Sequence, residues 1–433
     1  MKLKQSGLFI LMFFISLTIN AQNELKLTVN EAVEYALQYN KTVANSDLSV
    51  KIAQQGIREA IAYGLPQVNA SADYSNAMGA NMSIRFNENM PASEIPIKPS
   101  SSFNLQVTQL LFSGSYIVGV QTAKLYKELS EVNQLRTETE IRSLITNSYY
   151  LVLISEELLM RLQQNLTNLK DLYKKNEALS SAGIIERTDV DQLLIKVITL
   201  ENAVKSSERQ LELAINMLRL QLGADIDTQI NLTEDLDVIL SQNDIEKFMM
   251  LDLKLENNID YQMVNQQVEL SRKMVDMRKS AALPNLSGFY SYTYKLLKPE
   301  FDMAPANMIG LQLNVPVFSS GLRSAQTKQA FIDLQIQQNH KELVSDQLRV
   351  QEKQLRYNLI SAFETFNNLK SNIEVSRRVY SSLKLKYEQG IISGLDLVTA
   401  DNNYLEAEMN YISAIMQLLD ARQQLEKLYT TAK

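Results

Sequence analysis

Of 433 residues none is cysteine or tryptophan, and only one is histidine. Without cysteine there is no disulfide, no thiolate metal site and no lipid-bearing cysteine behind a leader. The single histidine, His340, sits mid-helix beside Lys341 and Glu342, where an exposed helix residue is the plain reading and a base or ligand is not. Paired metal-ligand spacings and glycine-rich phosphate loops are also missing. The chain is therefore read as a non-enzyme with no metal and no cofactor. Glycine (13) and proline (8) are scarce, which favours long uninterrupted helices.

Long apolar runs are nearly absent too. The exception is Leu8–Ile19, preceded by Lys2 and Lys4 and followed by Ile19-Asn20-Ala21. It is shorter than the roughly 20 residues that a spanning helix needs. Residues 1–21 read as a secretory signal, with a mature start near Gln22; an uncleaved anchor is the alternative. Removing its two lysines takes the net charge from −6 to −8. That balance does not favour nucleic acid, which calls for a basic face.

The rest of the chain repeats itself. Leu65-Pro66 opens one run of alternating residues and Leu283-Pro284 opens another. In the first, Val68, Ala70, Ala72 and Tyr74 share a face opposite Gln67, Asn69, Ser71, Asp73 and Ser75. Phe103, Leu105 and Val107 then alternate with Asn104, Gln106 and Thr108. In the second copy Leu286, Gly288, Tyr290, Tyr292 and Tyr294 are answered by Ile309, Leu311, Leu313, Val315 and Val317. Strands are expected over about 66–75, 102–112, 284–294 and 307–318. Period two with one apolar and one polar face fits a soluble sheet on a core, or a barrel wall between lipid and water. Phe112 and Phe318 at one end, with Tyr74, Tyr292 and Tyr294 towards the other, suit interfacial girdles. Four strands cannot close a barrel, so a membrane reading requires several chains to share one; three would supply twelve strands. The connections 76–101 and 295–305 read as exposed loops.

Each strand pair runs into a long helical stretch, expected over 115–182 and 322–389, roughly 100 Å each. The second carries heptad stripes: Leu355, Ala362, Leu369, Ser376 and Leu383, and Leu359, Phe366, Ile373, Tyr380 and Tyr387. In the first, Leu151, Leu158 and Leu172 align with Leu162 and Leu169. Shorter helices are expected at 30–63, 187–222, 259–282 and 395–428, stacked in pairs alongside the long ones. Each long stretch ends in the same turn, Gly183-Ile184-Ile185 or Gly390-Ile391-Ile392, with Asp189 and Asp396 each six residues after the glycine. The organisation is a leader (1–21), a first repeat (22–222), an equatorial linker (223–258) and a second repeat (259–433).

The duplicated Leu-Pro strand starts, the Phe-Ser-Gly exits and the two Gly-Ile-Ile…Asp turns resemble the TolC-like outer membrane efflux proteins over nearly all of the mature chain. The resemblance implies a mainly α protein with a membrane β-barrel portion: a homotrimer with a twelve-stranded outer membrane barrel, four strands per protomer, and a long α-helical coiled-coil barrel. It implies a passive exit duct in the outer membrane of a Gram-negative bacterium, served by a periplasmic adaptor and an inner membrane transporter of RND, ABC or MFS type. By resemblance Gly183, Ile184, Ile185, Gly390, Ile391 and Ile392 touch the adaptor, and Asp189 and Asp396 lie at the periplasmic aperture. Three acidic copies around an axis attract cations; alternatively, each Asp caps a helix N-terminus.

Departures from the family pattern bear on how the entrance closes. Thr399 stands where relatives often carry a second acid, with Asp401 two residues on. Ile185 and Ile392 stand where a basic residue often locks the entrance, and Arg187 substitutes only if it reaches across. Two other readings stay open: a periplasmic coiled-coil scaffold with a soluble β end, and a secreted pore-former.

Overall fold

The computed structural model describes residues 24–85, 91–242, 245, 248, 250–297 and 304–430; the leader, 1–21, lies outside them. In chain order the elements are β1 (Glu24–Leu27), α1 (Val29–Tyr39), α2 (Lys41–Ala62), β2 (Gln67–Ser75), β3 (Asn81–Ile84), β4 (Ser93–Pro96), β5 (Ser100–Ser113) and α3 (Gly114–Ser181). Then come α4 (Arg187–Leu222), β6 (Gln229–Leu232), α5 (Leu236–Gln242), α6 (Ile259–Ser280), β7 (Asn285–Leu297), β8 (Asn307–Asn314), α7 (Leu322–Glu388) and α8 (Gly394–Tyr429).

The main sheet is antiparallel in the order β2-β5-β7-β8. Its register keeps like with like. Val68 lies opposite Val107, Val107 opposite Tyr290, and Tyr290 opposite Ile309. The polar row Asn69, Gln106 and Ser291 runs beside it on the other face. The apolar face is left open: Val68 is 63% exposed, Ile309 84% and Leu311 72%. Among the described residues β2 and β8 are the two edges, each with one unpaired side. The return strand stops at Asn314, short of the expected 318, because Pro316 has no N–H to give a ladder.

The helices keep the strand order. α3 packs against α2 and α4 on one side and against α6 and α8 on the other, and α7 packs against α6 and α8. Two short helices thus span the height of one long helix, in a single layer. Among the described residues no helix is long and apolar enough to cross a membrane.

The stacking of the short helices rests on two asparagines. The segment expected as one helix over 30–63 breaks at Asn40, whose backbone is extended (φ −66°, ψ 128°). Its Oδ1 accepts from the N–H of Thr42 at 2.7 Å, and its Nδ2 donates to the Gln221 carbonyl in the last turn of α4 at 2.6 Å. Asn258 repeats the device at the head of α6, accepting from Tyr261 N–H at 3.1 Å and donating to the Leu428 carbonyl of α8 at 2.9 Å. Each residue caps one short helix and ties the end of the other to it. Gly223 makes the first junction tight: φ is +74°, and a Cβ there would lie 2.5 Å from the Tyr39 carbonyl oxygen.

Around this waist lies the larger core. Buried Tyr149 on α3 donates to the Leu27 carbonyl at 2.9 Å and accepts from Glu234 N–H at 3.4 Å, fastening both chain-start and linker. Burial pushes its phenol up to about 12. The mixed signals of the linker resolve into β6, paired in parallel with β1, and α5. A β3–β4 hairpin stands in the first connection, expected as plain loop. Of the leucines assigned to the α3 seam, Leu162 and Leu169 are buried, but Leu151 is exposed; it lies on the face that no neighbouring helix covers.

Asn40→Ala is expected to cost about 2 kcal/mol, from a lost cap and a stranded carbonyl. Asn40→Ser, which keeps an acceptor but cannot reach Gln221, should lose less. Circular-dichroism melting checks this; equal losses would show that the cap contributes nothing and that the Gln221 tie carries the whole effect.

Candidate functional site: the helix-hairpin tips

Both long helices end in the same backbone motif. Gly183 (φ +76°) donates to the Ser180 carbonyl and Ile184 N–H to that of Leu179, both at 2.9 Å. Gly390 (φ +72°) donates to Tyr387 and Ile391 N–H to Lys386, again at 2.9 Å. This paired bonding closes a helix with a left-handed residue, a conformation that glycine adopts without the Cβ clash. No atom lies within 4 Å of a Cβ placed at either glycine, so any cost of substitution there is backbone strain alone. The first isoleucine of each tip is exposed and the second half-buried.

The two tips enclose a cleft of about 830 Å³. Ile184, Ile185, Asp189, Gly390 and Ile392 line it, together with Lys175 and Tyr387. Gly183, Ile391 and Asp396 are not among its lining residues.

The two aspartates differ. Ser393 Oγ accepts from the Asp396 N–H at 3.2 Å, while Asp396 Oδ2 accepts from the Ser393 N–H at 3.1 Å and its hydroxyl at 2.7 Å. Asp396 is therefore half of a reciprocal cap on α8. In the first tip Glu186 occupies the Ser393 position and makes no side-chain cap bond, so half-buried Asp189 faces the cleft without that box. Arg187 does not reach across; it pairs with Asp191 on its own helix at 3.2 Å.

Two polar residues on the apolar seam of α3 were not singled out from sequence. Asn176 continues the Leu162–Leu169 heptad line and is 3% exposed. Its Nδ2 donates to Tyr387 Oη at 2.8 Å and to its own helix at the Leu172 carbonyl at 2.8 Å. A Cβ on Gly394 would lie 2.9 Å from its Oδ1. Asn176 thus pins the two hairpins together at the wall of the cleft, which it also lines. Asn165 falls between Leu158 and Leu172 on the other line and bonds buried Asp401, as does Tyr380. The Tyr380 and Tyr404 rings stack at 5.6 Å, Arg377 donates to Tyr404 at 3.2 Å, and Arg161 lies 3.7 Å from buried Glu408. A polar residue repeating at heptad spacing on an apolar seam was the available signal.

Burial is the largest influence on Asp401 and pushes its carboxyl above the usual range, against the bonds from Tyr380 and Asn165. Among the described residues no group of three or more His, Asp or Glu side chains is placed to hold a metal ion. His340 is exposed on α7.

Rows of strands that open to the outside on an apolar face and continue into a helical layer define a channel-forming outer membrane architecture. The family pattern described as outer membrane efflux protein matches twice, over residues 32–224 and 250–430, and the chain belongs to that family. It is 20% identical to the outer membrane protein TolC of Escherichia coli K12, covering 92% of this chain and 82% of TolC. The Campylobacter jejuni CmeC outer membrane channel superposes with a TM-score of 0.73 at 16% identity, over 93% of this chain and 85% of CmeC. The outer membrane protein VceC of Vibrio cholerae gives 0.73 at 16% identity, over 94% and 97%. The chain is thus an outer membrane efflux channel protein of a Gram-negative bacterium, its long helices forming the periplasmic extension.

Because the folded chain holds the Asp401 proton to higher pH than the unfolded chain, stability falls as pH rises from the ordinary aspartate range through the raised value. Asp401→Asn should therefore melt above wild type at pH 7, with the gap closing towards pH 4. A gap that widens towards pH 4 would make the charge stabilising.

Proposed function

We propose that the chain is the passive exit duct of a tripartite export system, assembled as a homotrimer. The carrying observation is the open apolar face, held in register across four strands and ending at two unpaired edges. In lipid each unpaired backbone group costs several kcal/mol, so the edges demand neighbours, and three copies make twelve strands.

The helices support the same closure. Leu348, Leu355, Leu359 and Phe366 are buried on the packed side of α7, while Ile336, Leu343, Val350 and Tyr357 recur every seven residues and are exposed. Val350 is two residues, about 200° of helix, from Leu348, on the opposite face. On α4 exposed Ile195 and Ile198 likewise stand two residues, and so across the helix, from buried Leu193 and Leu200. Both lateral edges of the layer are apolar where a second copy would lie.

In this reading the exposed isoleucines Ile184 and Ile391, with Gly183, Ile185, Gly390 and Ile392, meet a periplasmic adaptor that passes on substrate from an inner membrane transporter. Asp189 lines the aperture as its freer acid; Asp396 combines capping with the same ring. Closure between the hairpins is carried by Asn176 and Tyr387 and by apolar Ile185 and Ile392, with no basic lock at the tips.

Mass and fractionation of detergent-extracted protein test the proposal. A trimer from the outer membrane fraction is expected; a water-soluble monomer or dimer would leave a periplasmic scaffold. Gly183→Val or Gly390→Val costs about 1–2 kcal/mol of local strain and should impair export with trimer and insertion intact. Loss of the trimer would make these glycines structural. Asp189→Asn with Asp396→Asn should reduce cation selectivity in planar bilayers, Asp189→Asn giving most of the change; unchanged selectivity leaves capping as the role of both.

A further inference from the structure

Where the helices meet the sheet, the charge balance of this acidic chain reverses. In the three turns nearest the sheet, α2, α3, α6 and α7 carry eight bases and two acids. Arg58, Lys124, Arg278, Lys279 and Lys328 are exposed, and Arg323 is half-exposed. The remaining two bases, Arg272 and Lys273, pair with Glu269 at 3.0 Å and Asp276 at 3.8 Å. The next three turns of the same helices hold four bases and seven acids. The excess of positive charge is thus confined to a band roughly 16 Å deep.

Directly above the band the surface is apolar. Val317 is 89% exposed and Phe318 84%, in the segment between β8 and α7, and Leu65 and Leu283 are exposed at the two strand starts. Arg323 holds that segment in place, donating to the Pro316 carbonyl at 2.7 Å and to Ser319 Oγ at 3.0 Å. Apolar side chains at the rim with bases one to three turns below match the cross-section of a bilayer leaflet, acyl chains first and headgroups next.

We propose that this band is a docking collar for anionic phospholipid headgroups of the periplasmic leaflet. The inference rests on the outer membrane placement argued above. Its physical basis is charge complementarity within a Debye length or two of the surface, about 8–10 Å at physiological salt. A collar repeated in each copy of the assembly would fix the depth at which the helical body leaves the membrane.

The absence of tryptophan allows a direct test. Phe318→Trp puts a single reporter indole at the rim, and the full-length protein is reconstituted into vesicles of phosphatidylcholine with increasing dibrominated phosphatidylglycerol or dibrominated phosphatidylcholine. Quenching should give a relative binding constant about threefold or more in favour of the anionic lipid at low salt, lost in 0.5 M NaCl, on the order of the screening expected. The same preference should be lost when Arg58→Gln, Arg278→Gln, Lys279→Gln and Lys328→Gln are combined. Equal constants for both lipids in the parent protein, or a preference that survives the four substitutions, would overturn the collar while leaving the membrane placement standing. An indole quenched by neither lipid would overturn both.

Discussion

Backbone hydrogen bonding at the two edges of a four-stranded sheet governs this molecule. Among the described residues no strand pairs with the outer side of β2 or of β8. In water such edges are a liability, and in hydrocarbon they are untenable. Because the helices follow the strand order, the lateral continuation proposed to satisfy the edges would also cover the exposed apolar faces of α7 and α4. In the proposed trimer one closure would serve membrane and periplasmic parts together, and sheet and tube would not need separate symmetries.

The tube requires two short helices to behave as one long one. Asn40 and Asn258 accomplish this by capping one helix while bonding the final carbonyls of the other. Both copies carry this device in different surrounding sequence. The hairpin ends differ: both have the left-handed glycine, but only one has the reciprocal cap. Ser393 engages Asp396, whereas Glu186 makes no such cap bond and Asp189 lines the cleft. Two aspartates at the same distance from their glycines therefore have different hydrogen-bonding surroundings.

Much of the fold could be read along the chain because its signals are local and periodic. Alternation from Val68 to Tyr74 and from Phe103 to Val107 marks strands whatever lies next to them, and a 67-residue helix without glycine or proline has no competitor. What failed to show was pairwise. Nothing in the sequence near Asn40 announces Gln221, and nothing near Asn176 announces Tyr387. Leu151 has the spacing of a seam residue but falls where no helix covers it. Arg187 has the right charge for a lock, yet Asp191 one turn away on the same helix captures it first.

The sequence by itself determined the period-two and period-seven patterns, the left-handed turns that only glycine relaxes into, and the twofold repetition, since each depends on residues within a few positions of one another. The tertiary structure decided which faces stay bare, which polar groups on the seam find partners, and which of two matching aspartates is left unengaged. Those outcomes depend on which surfaces meet across more than a hundred residues, and spacing along the chain carries no record of that.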